Sequence, residues 1–319
     1  MRKAGKQDRE VFSLMEHLID IESITKQDIK DIITLAKAFK EGRGESSVKG
    51  RTLALMFYEN STRTRCSFEI AAKKLGMNVI NFDEAHSSLS KGESLKDTIE
   101  NLYFIGADAA VIRHSYSGII NNVMRLVKYP IKFINAGDGS HAHPTQALLD
   151  YYTMLEKTGS IENKKIAIIG DVLHSRVARS NIALLSKFGA DIHICAPSYL
   201  QFENFEAFNI KHHSDLKEAV SGADIVMALR VQNERHEKEG YPDSAEYKRL
   251  YEISTDLLKK YAADDVILMH PGPANRNIEV SSELLDNVLG RTILEQARNG
   301  VYVRMAVLNL LLERKSDAA

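Results

Sequence analysis

Short, unbroken apolar runs rich in β-branched residues recur along this chain and alternate with amphipathic stretches that have helical spacing. An apolar run without polar alternation is typical of a parallel strand covered by helices on both faces. Such runs lie at residues 53–58, 79–82, 109–112, 131–134, 165–171, 192–195, 225–229 and 266–269. The sequence therefore predicts an α/β fold with two doubly wound parallel-sheet domains joined by helices and the active site in the cleft between them.

The length of the chain also indicates two domains. A chain of 319 residues is long for a single hydrophobic core. We expect a first domain at residues 1–150 and a second at residues 151–292. The last helix, predicted near residues 293–314, is apolar on more than one face. We therefore expect the segment 293–319 to return and pack on the first domain.

Composition excludes several classes of protein. The net charge of -1 gives no bulk attraction to nucleic acid or to an anionic membrane. No apolar run approaches the length of a membrane span, and residues 1–10 are polar and lack a signal-peptide core. The two cysteines, Cys66 and Cys195, are too few for a disulfide framework or a zinc set. The cytoplasm is the simplest compartment, and both thiols are expected to be buried because they lie among apolar residues.

The segment Ser-Thr-Arg-Thr-Arg at residues 61–65 stands between a predicted strand and a predicted helix. The first amides of a helix have no intrahelical partner and the helix dipole adds positive potential there, so this position suits a phosphate. Hydroxyls can donate to phosphate oxygens, and Arg63 or Arg65 can add a charged fork. The alternative is an N-cap followed by ordinary surface arginines, and this segment alone does not decide between the two interpretations.

Further polar residues follow the other predicted strands, at the edge where open α/β sheets bind ligands. Together with the segment at 61–65 they form a set of five arginines, a histidine and a glutamine: Arg63, Arg65, Arg113, Arg176, Arg230, His143 and Gln146. It supplies donors and fixed positive charge but no evident nucleophile and no paired carboxylates. It therefore favours a small substrate with several negative charges.

Two other kinds of site are disfavoured. The run at residues 166–171 could end in a dinucleotide-binding turn, but the glycine fingerprint is missing and no acidic residue closes the next strand. The histidine pairs at 141/143 and 212/213 lack the further ligands of a metal site. We therefore expect neither a cofactor nor a metal. Lys91 reads as a surface lysine from the sequence alone.

Four segments, in this order along nearly the whole chain, resemble the carbamoyltransferase family. They are Ser-Thr-Arg-Thr-Arg at 61–65, His-Pro-Thr-Gln at 143–146, Arg-Val-Gln at 230–232 and His-Pro-Gly-Pro at 270–273. The first two are shared by all carbamoyltransferases, whereas the last two resemble the aspartate enzymes. An ornithine enzyme would show His-Cys-Leu-Pro at the last position and would lack the Arg-Val-Gln run.

The resemblance implies roles for individual residues. Carbamoyl phosphate would be bound by Ser61, Thr62, Arg63, Thr64, Arg113, His143, Gln146, Pro271, Gly272 and Pro273. Residues 61–64 would hold its phosphate, and Gln146 with the backbone at 271–272 would hold its amine. L-Aspartate would be bound by Arg176, Arg230, Gln232 and by Lys91 of a neighbouring subunit, accompanied by Ser87 or Ser88. The implied catalytic set is Arg63, Thr64, Arg113, His143 and Lys91.

The implied reaction is attack of the aspartate α-amine on the carbamoyl carbon, with release of phosphate and formation of N-carbamoyl-L-aspartate, an early step of de novo pyrimidine biosynthesis. The family also implies a homotrimer with shared active sites, and it leaves open whether a regulatory chain binds. The rival hypotheses are a nucleotide-dependent oxidoreductase and a non-catalytic anion-binding paralogue.

Overall fold

A computed structural model describes residues 15–82, 93–197, 200, 209–230 and 244–313 of the chain. The elements of the first half are α1 Lys26–Lys40, β1 Thr52–Phe57, α2 Thr62–Lys74, β2 Asn78–Phe82, α3 Leu95–Phe104, β3 Ala109–His114, α4 Ile119–Leu126, β4 Lys132–Asp138 and α5 Pro144–Thr158. Those of the second half are β5 Lys165–Ile169, α6 Arg176–Lys187, β6 Asp191–Cys195, β7 Lys211–His213, α7 Leu216–Val220, β8 Ile225–Ala228, α8 Ser244–Tyr251, α9 Thr255–Tyr261, β9 Ile267–Met269, α10 Ser282–Asp286 and α11 Arg291–Leu312.

Both sheets are parallel, as predicted, and they form two α/β domains. The first has strand order β2-β1-β3-β4 and the second has order β7-β6-β5-β8-β9. Residues 53–56 of β1 are almost completely buried, because helices cover both faces of the sheet. The strand order reverses between β1 and β3 and between β5 and β8. Ligands of open α/β sheets bind at such reversals, so the carboxyl ends of these four strands are the first place to look for a site.

Two strands differ from the prediction. β4 extends to Asp138, beyond the apolar run that ends at residue 134. Asn135 and Asp138 in this extension are fully buried but have hydrogen-bond partners, since the Asn135 Nδ2 atom donates to Ile19 O and to Asp138 Oδ1, both at 2.8 Å. The short edge strand β7 was not predicted, because Lys-His-His at 211–213 has no apolar pattern that would indicate a strand.

The helix α11 links the two domains. It packs against α1, α2 and α5 of the first domain and also touches β9 of the second. Its apolar residues between Val303 and Leu312 are buried in the core that lines the inner faces of both sheets. The helices α5 and α6 pack against each other and form a second connection. The candidate residues therefore lie between two sheets whose relative position is fixed by packed helices.

One expectation about the thiols is wrong. Cys195 is buried, but Cys66 is exposed on α2. The buried face of α2 is formed by Thr64, Ser67, Phe68, Ala71 and Ala72, and Cys66 lies off that stripe. Among the described residues, no helix combines the length and the apolar character needed to cross a membrane.

Candidate active site

The turn after β1 leads into α2, where the first backbone amides and the Ser61 hydroxyl are not used in helical or capping hydrogen bonds. Ser61 is the N-cap of α2 and has extended backbone, but its side chain makes no capping hydrogen bond. The helical bonding begins only with the Arg65 amide, which donates to Ser61 O at 3.1 Å. Thr64 is buried, whereas Thr62 and Arg63 are exposed. This geometry favours the anion-site interpretation over a simple cap, because a capping serine would use its hydroxyl on the helix.

A single carboxylate joins two of the candidate arginines. Glu59 Oε1 accepts from Arg113 Nη2 at 2.9 Å and from Arg176 Nη2 at 2.5 Å, and Glu59 Oε2 accepts from Arg176 Nη1 at 2.8 Å. Arg113 lies in β3 of the first domain and Arg176 opens α6 of the second, and both are buried. The cleft between the domains therefore contains two closely spaced guanidinium groups with a shared counter-ion.

Gly137 allows these arginines to approach the backbone. Its φ of +117° is one that L side chains rarely adopt, and a Cβ atom there would lie 2.9 Å from Arg113 Nη1 and 3.2 Å from Arg176 Cζ. Arg113 Nη1 also donates to Ala136 O at 3.1 Å. The backbone at the end of β4 thus lies directly against both guanidinium groups.

His143 lies beside the same arginines at the start of α5. Its side chain is 4% exposed, and its backbone amide donates to Ser180 Oγ at 2.8 Å. Burial, followed by the positive charges of Arg113, Arg304 and Arg176, holds the pKa of His143 well below its ordinary value. The imidazole is therefore neutral at neutral pH, when one ring nitrogen can donate a hydrogen bond and the other can accept one. Among the described residues, its Nδ1 atom has no hydrogen-bond partner.

The turn after β9 supports the Arg63 side chain. Gly272 has a φ of +69°, and a Cβ atom there would lie 2.8 Å from Arg63 Cζ. The Gly272 amide donates to His270 Nδ1 at 2.7 Å. Burial, followed by the charges of Arg63 and Arg230, lowers the pKa of His270 to about 3. Partial burial and the charge of Arg230 also lower the pKa of Arg63, so positive charge from both domains is concentrated at this turn.

The structure thus gathers the sequence-predicted arginines, with one exception, into two groups that also include His143 and Gly272. Arg113, Arg176 and His143 form one group, and Arg63, Arg230 and Gly272 form another. Gln146 lies one turn into α5 and is buried. The exception is Arg65, which is exposed and whose charge acts on Glu69 of its own helix. The expected residues Lys91, Gln232, Ser87 and Ser88 lie outside the described residues.

Sequence reasoning missed Glu59 and Arg304 as members of the site. Glu59 follows β1 directly, and this strand-end position was the only signal for it. Arg304 is a lone charge in an apolar stretch of α11. It is 3% exposed, donates to Ser67 Oγ at 2.8 Å and lies over the ring of Phe68. Burial lowers its pKa to about 10, which leaves it charged beside His143.

The chain matches two family models in succession. Residues 16–156 match the carbamoyl-P binding domain of aspartate/ornithine carbamoyltransferase, and residues 162–311 match the Asp/Orn binding domain. A relative in Syntrophomonas wolfei, an aspartate carbamoyltransferase catalytic subunit, is 43% identical over 312 residues, which cover 98% of this chain and 94% of the relative.

Solved structures of the same family have this fold. An aspartate transcarbamoylase from Trypanosoma cruzi, in complex with carbamoyl phosphate and aspartate, is 30% identical with a TM-score of 0.83 and covers 95% of this chain and 98% of its own. An ornithine carbamoyltransferase from Pyrococcus furiosus is 28% identical with a TM-score of 0.84, and the match covers 95% of this chain and 99% of the ornithine enzyme. On the family models and the relative, this chain belongs to the aspartate/ornithine carbamoyltransferase family.

Proposed function

We propose that this chain transfers the carbamoyl group of carbamoyl phosphate to the α-amine of L-aspartate, giving N-carbamoyl-L-aspartate and phosphate. The observation that carries the proposal is the convergence of Arg113 and Arg176, from different domains, beside the buried neutral imidazole of His143. The names and ligands of the relatives support the same reaction. In metabolism this reaction is an early step of de novo pyrimidine biosynthesis.

Carbamoyl phosphate is bound at the start of α2. Its phosphate accepts hydrogen bonds from the first amides of α2 and from the side chains of residues 61–64, where the helix dipole also favours negative charge. Thr64, Arg113 and His143 donate to the carbonyl oxygen. Gln146 and the backbone of residues 271–273 hold the amine.

Catalysis consists of positioning and electrostatic stabilisation. When the aspartate amine attacks the carbamoyl carbon, negative charge develops on the carbonyl oxygen, and donors already aimed at that oxygen stabilise it. A neutral His143 can donate there through the N–H of one ring nitrogen, and it need not gain or lose a proton in the reaction. The departing phosphate accepts the amine proton, so no protein base and no covalent intermediate are required.

Aspartate is selected by charge. Arg176, Arg230 and Gln232 bind its two carboxylates through charge-assisted bonds, and the same arginines repel the cationic side chain of ornithine. The overall fold does not make this distinction, since the aspartate and ornithine enzymes resemble the chain equally well. The acceptor is therefore assigned by the segments at 230–232 and 270–273.

The working unit is a cytoplasmic homotrimer in which Lys91, with Ser87 or Ser88, enters the cleft of a neighbouring chain. A ring with heterologous contacts permits this exchange, since each subunit presents one surface and receives another. The relatives' designation as catalytic subunits is the reason to look for a regulatory chain that co-purifies with this one.

The test is an assay of phosphate release from carbamoyl phosphate with L-aspartate or L-ornithine as acceptor. We expect release with aspartate only. Arg230→Ala should raise the KM for aspartate far more than the KM for carbamoyl phosphate, whereas Arg249→Ala, a change of an exposed arginine on α8, should alter neither. Transfer to ornithine, or equal losses for both substrates in Arg230→Ala, contradicts the proposal.

A further inference from the structure

Asp150 is a fully buried carboxylate that accepts three side-chain amides. Its Oδ1 atom accepts from Gln146 Nε2 at 2.8 Å and from Gln296 Nε2, and its Oδ2 atom accepts from Asn181 Nδ2 at 2.8 Å. The three donors belong to α5, α11 and α6. Burying a carboxylate is costly even when it is well bonded, and burial raises the pKa of Asp150 to about 6 despite these three bonds. Stability alone does not account for its presence.

The carboxylate determines which way round the Gln146 amide lies. An ionised carboxylate only accepts hydrogen bonds, so the nitrogen of the amide must face Asp150 and the oxygen must face away from it. Among the described residues, Gln146 Oε1 accepts no hydrogen bond, and it does not belong to the buried atoms that lack a partner. Gln146 therefore presents an acceptor to its surroundings, and a reversed amide would present donors.

The same carboxylate orients the Gln296 amide. With its nitrogen on Asp150, Gln296 uses Oε1 to accept from the backbone amide of His270 at 3.2 Å. His270 in turn accepts from the Gly272 amide through Nδ1. Two successive hydrogen bonds, one between Gln296 and Asp150 and one between the His270 amide and Gln296, thus connect the turn at 270–272 to the buried carboxylate. The backbone amides of His270 and Gly272 both donate to groups within the protein.

We propose that Asp150 and Gln296 are positioning residues that set the hydrogen-bond polarity of the pocket for the carbamoyl amine, so that the site discriminates carbamoyl phosphate from acyl phosphates that lack N–H donors. Asp150 acts through Gln146, whose oxygen accepts from the amine, and through Gln296, which holds the turn that supplies backbone carbonyl acceptors. This inference rests on the proposed function, because it deepens the specificity of the same site. A pocket built to accept N–H groups disfavours a ligand with a methyl group there, since its acceptors remain unpaired.

The experiment compares two ligands that differ only in that group. Carbamoyl phosphate carries an amine where acetyl phosphate carries a methyl group, so we measure the KM of the first and the Ki of the second as a competitive inhibitor. Asp150→Asn should weaken carbamoyl phosphate by about tenfold, the effect of misorienting one hydrogen bond, and acetyl phosphate by less than about twofold. Thr153→Val, which removes a buried hydroxyl bonded to Asn299 at the same helix pair, should leave the ratio of the two constants unchanged.

A double-mutant cycle separates positioning from general packing. In a Gln146→Ala background, Asp150→Asn should have a smaller effect on the ratio, because one of the two residues through which Asp150 acts is gone and only the route through Gln296 is left. Gln296→Met keeps the side-chain volume and should shift the ratio in the same direction, which provides a second variant if Asp150→Asn does not fold.

The proposal is overturned if the variants weaken both ligands equally, or if the effects of Asp150→Asn and Gln146→Ala on the ratio are additive. It is also overturned if Gln296→Met leaves the ratio unchanged. The unmodified enzyme is assayed first with L-aspartate. Absence of transfer there contradicts the proposed function, whereas transfer with an unchanged ratio in the variants contradicts only the positioning role.

Discussion

Glu59 holds Arg176 with both of its carboxylate oxygens, although the two residues are 117 positions apart and belong to different domains. The same carboxylate also accepts from Arg113. One acidic side chain therefore ties an arginine proposed to bind carbamoyl phosphate to an arginine proposed to bind aspartate. A substrate carboxylate that reaches Arg176 must share its guanidinium with Glu59.

Glu59→Gln should raise the KM for aspartate by roughly tenfold or more, because two closely spaced arginines lose their common counter-ion and Arg176 loses the carboxylate that anchors it to the first domain. The KM for carbamoyl phosphate should change less, since Arg113 keeps its bond to Ala136 O. Steady-state kinetics with each substrate varied will measure both. Glu156→Gln is the matched control, a glutamate of similar exposure that pairs with Lys40 away from the cleft. A lower KM for aspartate in Glu59→Gln would show that Glu59 competes with the substrate.

Gly272→Ala should raise the KM for carbamoyl phosphate by about tenfold, because its Cβ would displace the Arg63 guanidinium. Gly222→Ala is the control, since its φ of +65° imposes the same backbone strain and nothing lies within 4 Å of the added atom. Both variants should lose about 1–2 kcal/mol of stability from the left-handed backbone. Unfolding experiments measure the loss of stability, and steady-state kinetics measures the KM for carbamoyl phosphate. Equal changes in KM in the two variants would contradict the role of Arg63 in binding carbamoyl phosphate.

His143→Ala should lower kcat by roughly a hundred- to thousandfold and leave a measurable residual rate, because Thr64 and Arg113 still donate to the oxyanion. The low pKa of the buried imidazole means that it stays neutral across the assay range, so it contributes no acidic limb to the pH profile. Single-turnover kinetics followed by mass spectrometry provides the check. A carbamoyl group trapped on His143 contradicts the donor role.

His270→Asn should make the stability of the protein less sensitive to acid. The pKa of His270 is about 3 in the folded chain against an ordinary value of 6.5, so below pH 6.5 the unfolded chain takes up a proton that the folded chain does not. When the pH falls from about 7.5 to about 5.5, this proton uptake lowers the free energy of unfolding by about 1.4 kcal/mol. The variant should not show this decrease.

Urea unfolding followed by circular dichroism at the two pH values measures this difference. Asp150, with its raised pKa, acts in the opposite direction between pH 3.8 and about 6, but it is present in both proteins and cancels in the comparison. An identical pH dependence in both proteins would mean that His270 is charged in the folded state. Asparagine is chosen because its Oδ1 atom can accept from the Gly272 amide as Nδ1 does.

Mixing chains that carry Lys91→Ala with chains that carry Arg63→Ala should restore part of the activity, although each variant alone is nearly inactive. In a mixed ring, some sites combine the intact Arg63 of a Lys91→Ala chain with the intact Lys91 of an adjacent Arg63→Ala chain. The assay requires conditions under which subunits exchange, which can be verified by native mass spectrometry. If the subunits exchange and no activity returns, the site lies within one chain.

Much of the fold could be predicted from the chain because the signals are local. A strand buried on both faces needs an unbroken apolar run, and a helix needs a periodic one, whatever the rest of the molecule does. The strand ends also place Ser61, Arg113 and His143 at one edge of the first sheet and Arg230 at the corresponding edge of the second, since all parallel strands of a sheet end at the same edge. β7 was missed because an edge strand of three polar residues carries no such pattern.

The sequence by itself determined the two parallel sheets and the residue types at their carboxyl ends. Only the tertiary structure decided that Glu59 bridges Arg113 and Arg176, that Asp150 collects amides from three helices, and that Cys66 faces outward. These are relationships between side chains far apart in the sequence. A lone glutamate after a strand, or a lone aspartate in a helix, carries the same local pattern whether it meets solvent or a partner from another domain. Burial and partner together determine its charge and its role, and both arise only when the helices pack.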